Sequence, residues 1–202
     1  MQKNCARHLL RSKKYYMSTT EIECRFLEIN KDELVQKLLA LGAHDEGEKL
    51  LEETIIYDAE LAWRDEGQHL RLRKAGDTTT LTFKRHTAHT IDGTYELEFS
   101  IGDKEKAELL FEQLGFVAYR HQQKKRHSLR LGNDVVFDID TWPRIPTYVE
   151  IEGESEDAIK QAAAAVGFDW SMAELHSPAW IIENIYHIPV RQLRWFTFDR
   201  CE

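Results

Sequence analysis

Several charged residues of this sequence form pairs of like sign, with a single residue between the two members of each pair. Six such pairs lie in segments whose charged and apolar residues alternate as in strands, four acidic and two basic: Glu21 and Glu23, Glu96 and Glu98, Asp138 and Asp140, Glu150 and Glu152, Arg71 and Arg73, Lys124 and Arg126. Residues i and i+2 of a β-strand share a face of the sheet, so each pair would place like charges side by side. That arrangement costs free energy unless an opposite charge neutralises it, as cations would for the acids and an anion for the bases.

The residue types of these pairs indicate which ions and ligands would bind. Carboxylates without His or Cys favour Mg²⁺, Mn²⁺ or Ca²⁺ over zinc. Arginines two residues apart offer planar forks that suit phosphate oxygens, and Arg25 and Lys84 add single cations in the same register of their strands. A metal-bound polyphosphate would satisfy both sets of charges, whereas a sheet face in contact with water is the more ordinary explanation of any one pair taken alone.

The elements that would position these charges are strands joined by short loops. Period-two alternation of charged and apolar residues predicts eight strands, at residues 20–28, 48–58, 68–74, 78–86, 94–101, 117–131, 134–140 and 147–153. Capping residues and helical spacing predict four helices, which begin near Asn30, Asp103, Ser155 and Ser177. The expected fold class is α+β: an eight-stranded antiparallel β-barrel, or tunnel, with helices packed outside it and the ionic face turned inward.

Composition limits the classes of protein to consider. The 202 residues carry a net charge of −8, and residues 1–20 hold five basic groups and no acidic one. We therefore expect a disordered basic tail over residues 1–18 and a single domain over 19–202, acidic enough to argue against nucleic-acid binding. Three widely spaced cysteines favour a cytoplasmic setting, and no apolar run is long enough for a membrane span. No Gly-x-Gly motif occurs, so side chains must bind any phosphate.

The order and spacing of the charged segments resemble the CYTH superfamily, also called triphosphate tunnel metalloenzymes. That family includes class IV adenylate cyclases, thiamine triphosphatases and inorganic triphosphatases. The resemblance covers about residues 19 to 190 and rests on the segments Glu21–Phe26, Leu70–Arg73, Leu81–Lys84, Tyr95–Glu98, Lys124–Arg126, Asp138–Asp140 and Tyr148–Glu152.

The resemblance implies a role for each charged group. Metal-binding acids would be Glu21, Glu23, Glu150, Glu152, Asp138 and Asp140, with Mg²⁺ or Mn²⁺ as cofactor. Triphosphate-binding bases would be Arg71, Arg73, Lys84, Lys124 and Arg126, and Glu96 and Glu98 would be further tunnel acids. The catalytic position is Arg25, where the family signature has a lysine. A guanidinium stays protonated, so Arg25 cannot act as a base, although it can orient water or stabilise charge.

Three functions follow from the resemblance and stay open at this point. The first is divalent-metal-dependent hydrolysis of inorganic triphosphate or of a triphosphorylated small molecule. The second is conversion of ATP to cyclic AMP and pyrophosphate by a class IV type of adenylate cyclase. The third is binding of polyphosphate or nucleotide without catalysis. In each case the partner is a small-molecule triphosphate, and the sequence leaves open whether the protein is a monomer or a homodimer.

Overall fold

The computed structural model describes residues 19–86 and 94–202. The predicted tail over residues 1–18 lies outside the described residues, and so does the side chain of Glu21. The strands are β1 (Thr19–Glu21), β2 (Glu23–Phe26), β3 (His44–Tyr57), β4 (Gln68–Ala75), β5 (Thr78–His86), β6 (Thr94–Ile101), β7 (Val117–Leu131), β8 (Val135–Thr141), β9 (Tyr148–Gly153) and β10 (Trp195–Phe196). The helices are α1 (Lys31–Ala40), α2 (Ala62–Asp65), α3 (Lys104–Gln113), α4 (Glu156–Ala165) and α5 (Pro178–Asn184), with 3-10 turns at Trp170–Met172 and Val190–Gln192.

The strands form one antiparallel sheet in the order β1-β6-β5-β4-β3-β7-β8-β9-β2, and the short β10 pairs in parallel with β7. The two ends of this order, β1 and β2, are separated in the chain by Ile22 alone. One interrupted strand therefore pairs with β6 on one side and with β9 on the other. The sheet curls until its edges meet, which confirms the predicted eight-stranded antiparallel tunnel of an α+β protein.

The alternation along the strands separates an apolar outer face from an ionic inner face. On β2, β8 and β9 the apolar residues are fully buried outside the tunnel, where they pack with side chains of α1 and α4; this core includes Cys24, Phe137, Ile139, Val149, Ile151, Leu34, Leu38 and Ile159. Their neighbours in sequence, the charged residues, turn to the other face because successive strand side chains point in opposite directions. Burial of the outer face therefore fixes which residues face the tunnel.

The four predicted helix starts are confirmed. The side chain of each predicted capping residue accepts a hydrogen bond from a backbone N–H three residues later: Asn30 from Glu33, Asp103 from Lys106, Ser155 from Ala158 and Ser177 from Trp180. Sequence analysis did not predict α2, a single turn whose first N–H groups are capped by the Asp58 carboxylate. Trp63 of α2 packs edge to face against Phe83 and Phe116, so tertiary contacts stabilise this turn.

No helix in the described parts of the chain combines the length and apolarity needed to cross a bilayer.

Candidate functional site

The inward-facing side chains surround a cavity of about 360 Å³. Eleven of the predicted site residues line it: Glu23, Arg25, Arg71, Arg73, Lys84, Glu96, Glu98, Lys124, Arg126, Glu150 and Glu152. Asp138 and Asp140 do not line the cavity; they lie behind it, in contact with Arg126 and Lys124. The tunnel therefore brings together charged groups from strands far apart in the sequence.

Arg25 joins two acids at one end of the cavity. Its Nη2 atom lies 2.8 Å from Glu23 and 2.6 Å from Glu150, and its Nη1 atom donates to the carbonyl of His176 at 3.1 Å. Only 2% of Arg25 is exposed, and burial alone would lower its pKa, but Glu23 and Glu150 outweigh burial and raise that pKa above its usual value. Arg25 is therefore a fixed cation that accepts no proton, as the sequence predicts.

Glu152 lies at the rim of the same end. It is the cross-strand partner of Glu23, so two carboxylates face each other directly between β2 and β9. Desolvation in the tunnel mouth, followed by the charges of Glu150, Glu23 and Asp138, raises the pKa of Glu152 to about 7, although the residue as a whole remains exposed. This rim therefore has more negative charge than its own cations balance.

Arg126 contacts three acids from two neighbouring strands. Its guanidinium makes two parallel hydrogen bonds of 2.7 Å to Asp140, an ion pair with Asp138, and one of 3.1 Å with Glu150. Asp138 also accepts a 2.6 Å hydrogen bond from Ser128. These acids outweigh burial and raise the pKa of Arg126 well above its usual value. Asp138 and Asp140 thus position a cavity-lining cation.

Lys124 lies on the same face of β7, two residues before Arg126. Its Nζ atom is 2.7 Å from fully buried Asp140 and 5.1 Å from the ring centre of Trp142. Burial and the neighbouring charge of Arg126 lower the pKa of Lys124, and Asp140 offsets only part of that effect. Lys124 is thus a buried ammonium group whose charge a bound anion would stabilise.

The opposite wall, formed by β4, β5 and β6, carries a second ionic network. Arg71 Nη2 lies 3.1 Å from Glu96 and 3.4 Å from Glu98, and Lys84 Nζ lies 3.0 Å from Glu96. Thr82, between them in space, donates a 2.6 Å hydrogen bond to Glu98. The predicted tunnel acids on this wall therefore hold predicted phosphate-binding cations.

A chain of hydrogen bonds links β4, β3 and β7 and includes three residues that sequence analysis did not select. Arg73 Nε donates to Glu53 at 2.7 Å, and Gln122 Nε2 donates to the other oxygen of Glu53 at 2.6 Å. Arg120 Nε then donates to the amide oxygen of Gln122 at 2.8 Å. Arg73, Arg71 and Lys124 outweigh burial and lower the pKa of Glu53, which stays ionised.

The signal for these three residues is present in the sequence. Arg120, Gln122, Lys124 and Arg126 alternate along one predicted strand, and Glu53 alternates in the same way along the strand at 48–58. Selection by like-charged pairs passes over them, because Gln122 is neutral and Glu53 stands alone. Alternation with the apolar residues of the outer face would have found all three.

Most of the charged lining neutralises itself. Each described basic pair meets acids across the sheet, so the sequence-based expectation that outside ions must balance every pair is too strong. The exceptions lie at the two ends of the cavity, where Glu152 faces other acids and Arg120 has neutral hydrogen-bond acceptors.

The carboxylate end of the cavity has the donor type and the negative charge that suit a divalent cation, but its described side chains do not form a complete set of ligands. Oxygen donors without His or Cys suit Mg²⁺ or Mn²⁺, and the raised pKa of Glu152 indicates excess negative charge. Among the side chains that the structure describes, no three His, Cys, Asp or Glu groups converge as metal ligands. Arg25 instead occupies oxygens of Glu23 and Glu150.

Comparison with known proteins places the chain among proteins of this architecture. The family model of the CYTH domain matches residues 19–171. The PH1012 protein of Pyrococcus horikoshii OT3 has a similar structure, with a TM-score of 0.67 and 25% identity over 78% of this chain and 96% of that chain. No curated protein matches the chain significantly.

Two more distant structures share the fold. A candidate adenylate cyclase from Vibrio parahaemolyticus has a TM-score of 0.71 at 13% identity, covering 82% of this chain and 99% of that chain. A candidate adenylyl cyclase from Hippeastrum, described as having a dominant triphosphatase activity, has a TM-score of 0.59 at 15% identity, covering 81% and 95%. At these identities the likeness concerns the fold alone.

Proposed function

The chain belongs to the CYTH domain family, and from that premise we propose that it hydrolyses a triphosphate in a divalent-metal-dependent reaction. The substrate is inorganic triphosphate or a triphosphorylated small molecule. The observation that carries the proposal is the convergence of five cations on one cavity with carboxylates at one end: Arg71, Arg73, Lys84, Lys124 and Arg126.

These cations match what phosphoryl transfer requires. The triphosphate lies between two walls, with Arg71 and Lys84 on one and Lys124 and Arg126 on the other. Because each cation is held by an acid behind or beside it, the groups are positioned before the substrate binds. They stabilise negative charge as it shifts toward the bridging oxygen of the anhydride.

The reaction transfers the terminal phosphoryl group to water. The water oxygen forms a bond to the terminal phosphorus, and the bridging oxygen leaves with the electron pair of the broken P–O bond. The proton released by water passes to the phosphate product or to solvent. Since Arg25 is held by Glu23 and Glu150 and keeps its proton, its role is to position these two carboxylates.

The residues that would hold the metal are Glu23, Glu150 and Glu152, together with Glu21. When bound, Mg²⁺ or Mn²⁺ supplies positive charge to the phosphate oxygens as a Lewis acid. Asp138 and Asp140, predicted from sequence as metal ligands, are assigned instead to holding Arg126 and Lys124, because both carboxylates already contact these cations.

The test is a product assay with tripolyphosphate, ATP and thiamine triphosphate as substrates, each with Mg²⁺ and with Mn²⁺. Phosphate, pyrophosphate and cyclic AMP are measured together. We expect phosphate release, which Glu150→Gln abolishes and which Glu154→Gln, an exposed acid near the end of β9, leaves unchanged. Cyclic AMP and pyrophosphate from ATP would establish a cyclase instead, and tight triphosphate binding without any product would establish a noncatalytic binder.

A further inference from the structure

Arg120 differs from the other arginines of the tunnel in its partners. It lies on β7 with 5% of its surface exposed, and it lines the cavity. Its Nε atom donates to the Gln122 amide oxygen at 2.8 Å, and its Nη1 atom donates to the Val190 carbonyl at 3.2 Å. Within the described residues no carboxylate oxygen lies within 4.0 Å of its guanidinium, whereas Arg25, Arg71, Arg73 and Arg126 each have at least one carboxylate at that distance.

A buried cation with neutral partners is an unfavourable arrangement for the protein alone. Burial lowers the pKa of Arg120, and Tyr57, Glu53 and Glu183 offset only part of that effect, yet a guanidinium does not lose its proton in water near neutral pH. Neutral acceptors balance none of its charge, and a buried charge without a counter-charge is destabilising. The arrangement therefore leaves a positive group facing the cavity.

The acids whose charges act on Arg120 are bound by other groups and balance only part of its charge. Glu53 is already bound by Arg73 and Gln122, and Glu183 is bound by Arg191 at 3.0 Å. Burial raises the pKa of Tyr57, whose phenol therefore stays neutral.

Nearby titratable groups add positive charge instead. Arg191 and Arg64 also line this end of the cavity. His69 lies in the same wall, where burial, followed by the charges of Arg71 and Lys84, lowers its pKa well below the usual value, so its ring is neutral and adds no negative charge. The electrostatic character of this end thus suits an anion.

The position of Arg120 shows which part of a ligand it would contact. Arg120 and Arg126 lie six residues apart on one face of β7, roughly 20 Å along the strand. Arg126 lies beside the carboxylate end, and Arg120 lies beside Val190 and Arg191 at the other. A group beside Arg120 is therefore distinct from the phosphates that Arg126 holds.

We propose that Arg120 forms an anion subsite at the end of the tunnel opposite Glu152, and that the preferred ligand is a linear polyphosphate longer than three phosphates. The proposal rests on the proposed triphosphatase function for the position of the first three phosphates. A ligand with charge along its whole length satisfies both Arg126 and Arg120, whereas a triphosphate attached to an uncharged group places no charge beside Arg120.

The test is calorimetric binding of tripolyphosphate and of linear octaphosphate, which is long enough to extend from Arg126 to Arg120, to the full chain under conditions without turnover. Wild-type protein should bind octaphosphate at least about tenfold more tightly than tripolyphosphate, because each further charged hydrogen-bonded contact has that effect. Arg120→Gln should weaken octaphosphate binding alone, by about tenfold, and Arg120→Lys should weaken it less. Arg130→Gln is the matched control, since Arg130 pairs with Glu46 outside the cavity and should change neither affinity.

The outcomes separate this inference from the proposed function. Equal wild-type affinity for the two polyphosphates, or equal weakening of both in Arg120→Gln, would overturn the anion subsite and leave the triphosphatase proposal intact. Failure of the wild-type protein to bind either polyphosphate would overturn both. The wild-type comparison needs no variant, so equal affinities would overturn the anion subsite even if a substitution prevents folding.

Discussion

The two ends of the tunnel carry unbalanced charges of opposite sign. At the end near Glu152, carboxylates of β2 and β9 face one another, and Arg25 balances only part of their charge. At the end near Arg120, a buried guanidinium donates to an amide and to a carbonyl, with further cations close by. Between the ends, cations and acids pair across the sheet. The tunnel is thus electrically polar along its length.

This difference teaches that the paired charges and the leftover charges have separate roles. A self-neutralising middle section holds its cations in fixed positions whether or not a ligand is present. Under the functions proposed above, a bound cation would stabilise one unbalanced end and a bound anion the other. A ligand carrying metal at one end and free negative charge at the other therefore has one preferred orientation.

The largest expected effect is at the carboxylate end. Chelation of divalent metal should reduce phosphate release to the level of a sample without enzyme, and added Mg²⁺ or Mn²⁺ should restore it. The measurement is phosphate release before and after metal is returned. Full activity in the presence of chelator would contradict both metal binding at the carboxylate end and the proposed metal dependence.

The next effect comes from Arg126→Met, in the paired middle section. The substitution leaves Asp138, Asp140 and Glu150 without their shared cation, so we expect a loss of about 3–5 kcal/mol in the free energy of unfolding. Activity should fall on the order of 10²–10³-fold. Denaturant unfolding and phosphate release measure the two quantities, and a variant as stable as wild type would contradict the balanced-charge description.

A pH-dependent effect is expected from Glu152→Gln in metal-free buffer. The pKa of Glu152 in the folded protein is about 7, above its ordinary value, so the proton on Glu152 stabilises the fold at low pH and this contribution disappears as pH rises through 7. The variant should therefore match wild type near pH 5 and be the more stable protein at pH 8.

Thermal unfolding at the two pH values checks this expectation, with Glu154→Gln as the exposed matched control. The same Glu152→Gln gain at both pH values would show that no titration is involved. A gain that persists at pH 8 with saturating Mg²⁺ would show that the metal does not bind beside Glu152.

The smallest effect, a change in the free energy of unfolding, is expected from Arg120→Met. This is the same substitution as Arg126→Met, made at the basic end of the tunnel instead of in its middle section. Because no acid pairs with Arg120, its removal leaves no carboxylate without a partner, and the free energy of unfolding should stay the same or rise by about 1 kcal/mol. Denaturant unfolding of both methionine variants gives the comparison directly. Equal destabilisation by both would mean that the two arginines are balanced alike.

The fold could be predicted because its signals are local. Period-two alternation, as in Tyr95 to Glu98, identifies a strand within its own segment, and Asn30 or Ser155 identifies a helix start three residues ahead. Even the apolar and ionic faces follow from alternation. The turn α2 could not be predicted, because Trp63 is held there by Phe83 and Phe116 from other elements.

The charge balance of the site could not be predicted, because it depends on the register between distant strands. Glu53 meets Gln122 and Arg73 only through the pairing of β3 with β7 and β4. Likewise, Asp140 holds Arg126 because β8 pairs with β7 in one register. The sequence therefore predicts which residues face the tunnel, and the structure alone distinguishes groups that hold each other from groups that face the cavity without an opposite charge.

The pairing of the residues on either side of Ile22 with two distant strands has a consequence for folding. β1 pairs with β6 and β2 pairs with β9, so β2 cannot form its hydrogen bonds until Tyr148–Gly153 has been synthesised. Until then the sheet is not closed into a tunnel, and its charged inner face is exposed to solvent. Closure is thus a late event made of contacts distant in sequence, the kind that forms slowly, and a nascent chain that stops short of β9 has no tunnel in which to bind a ligand.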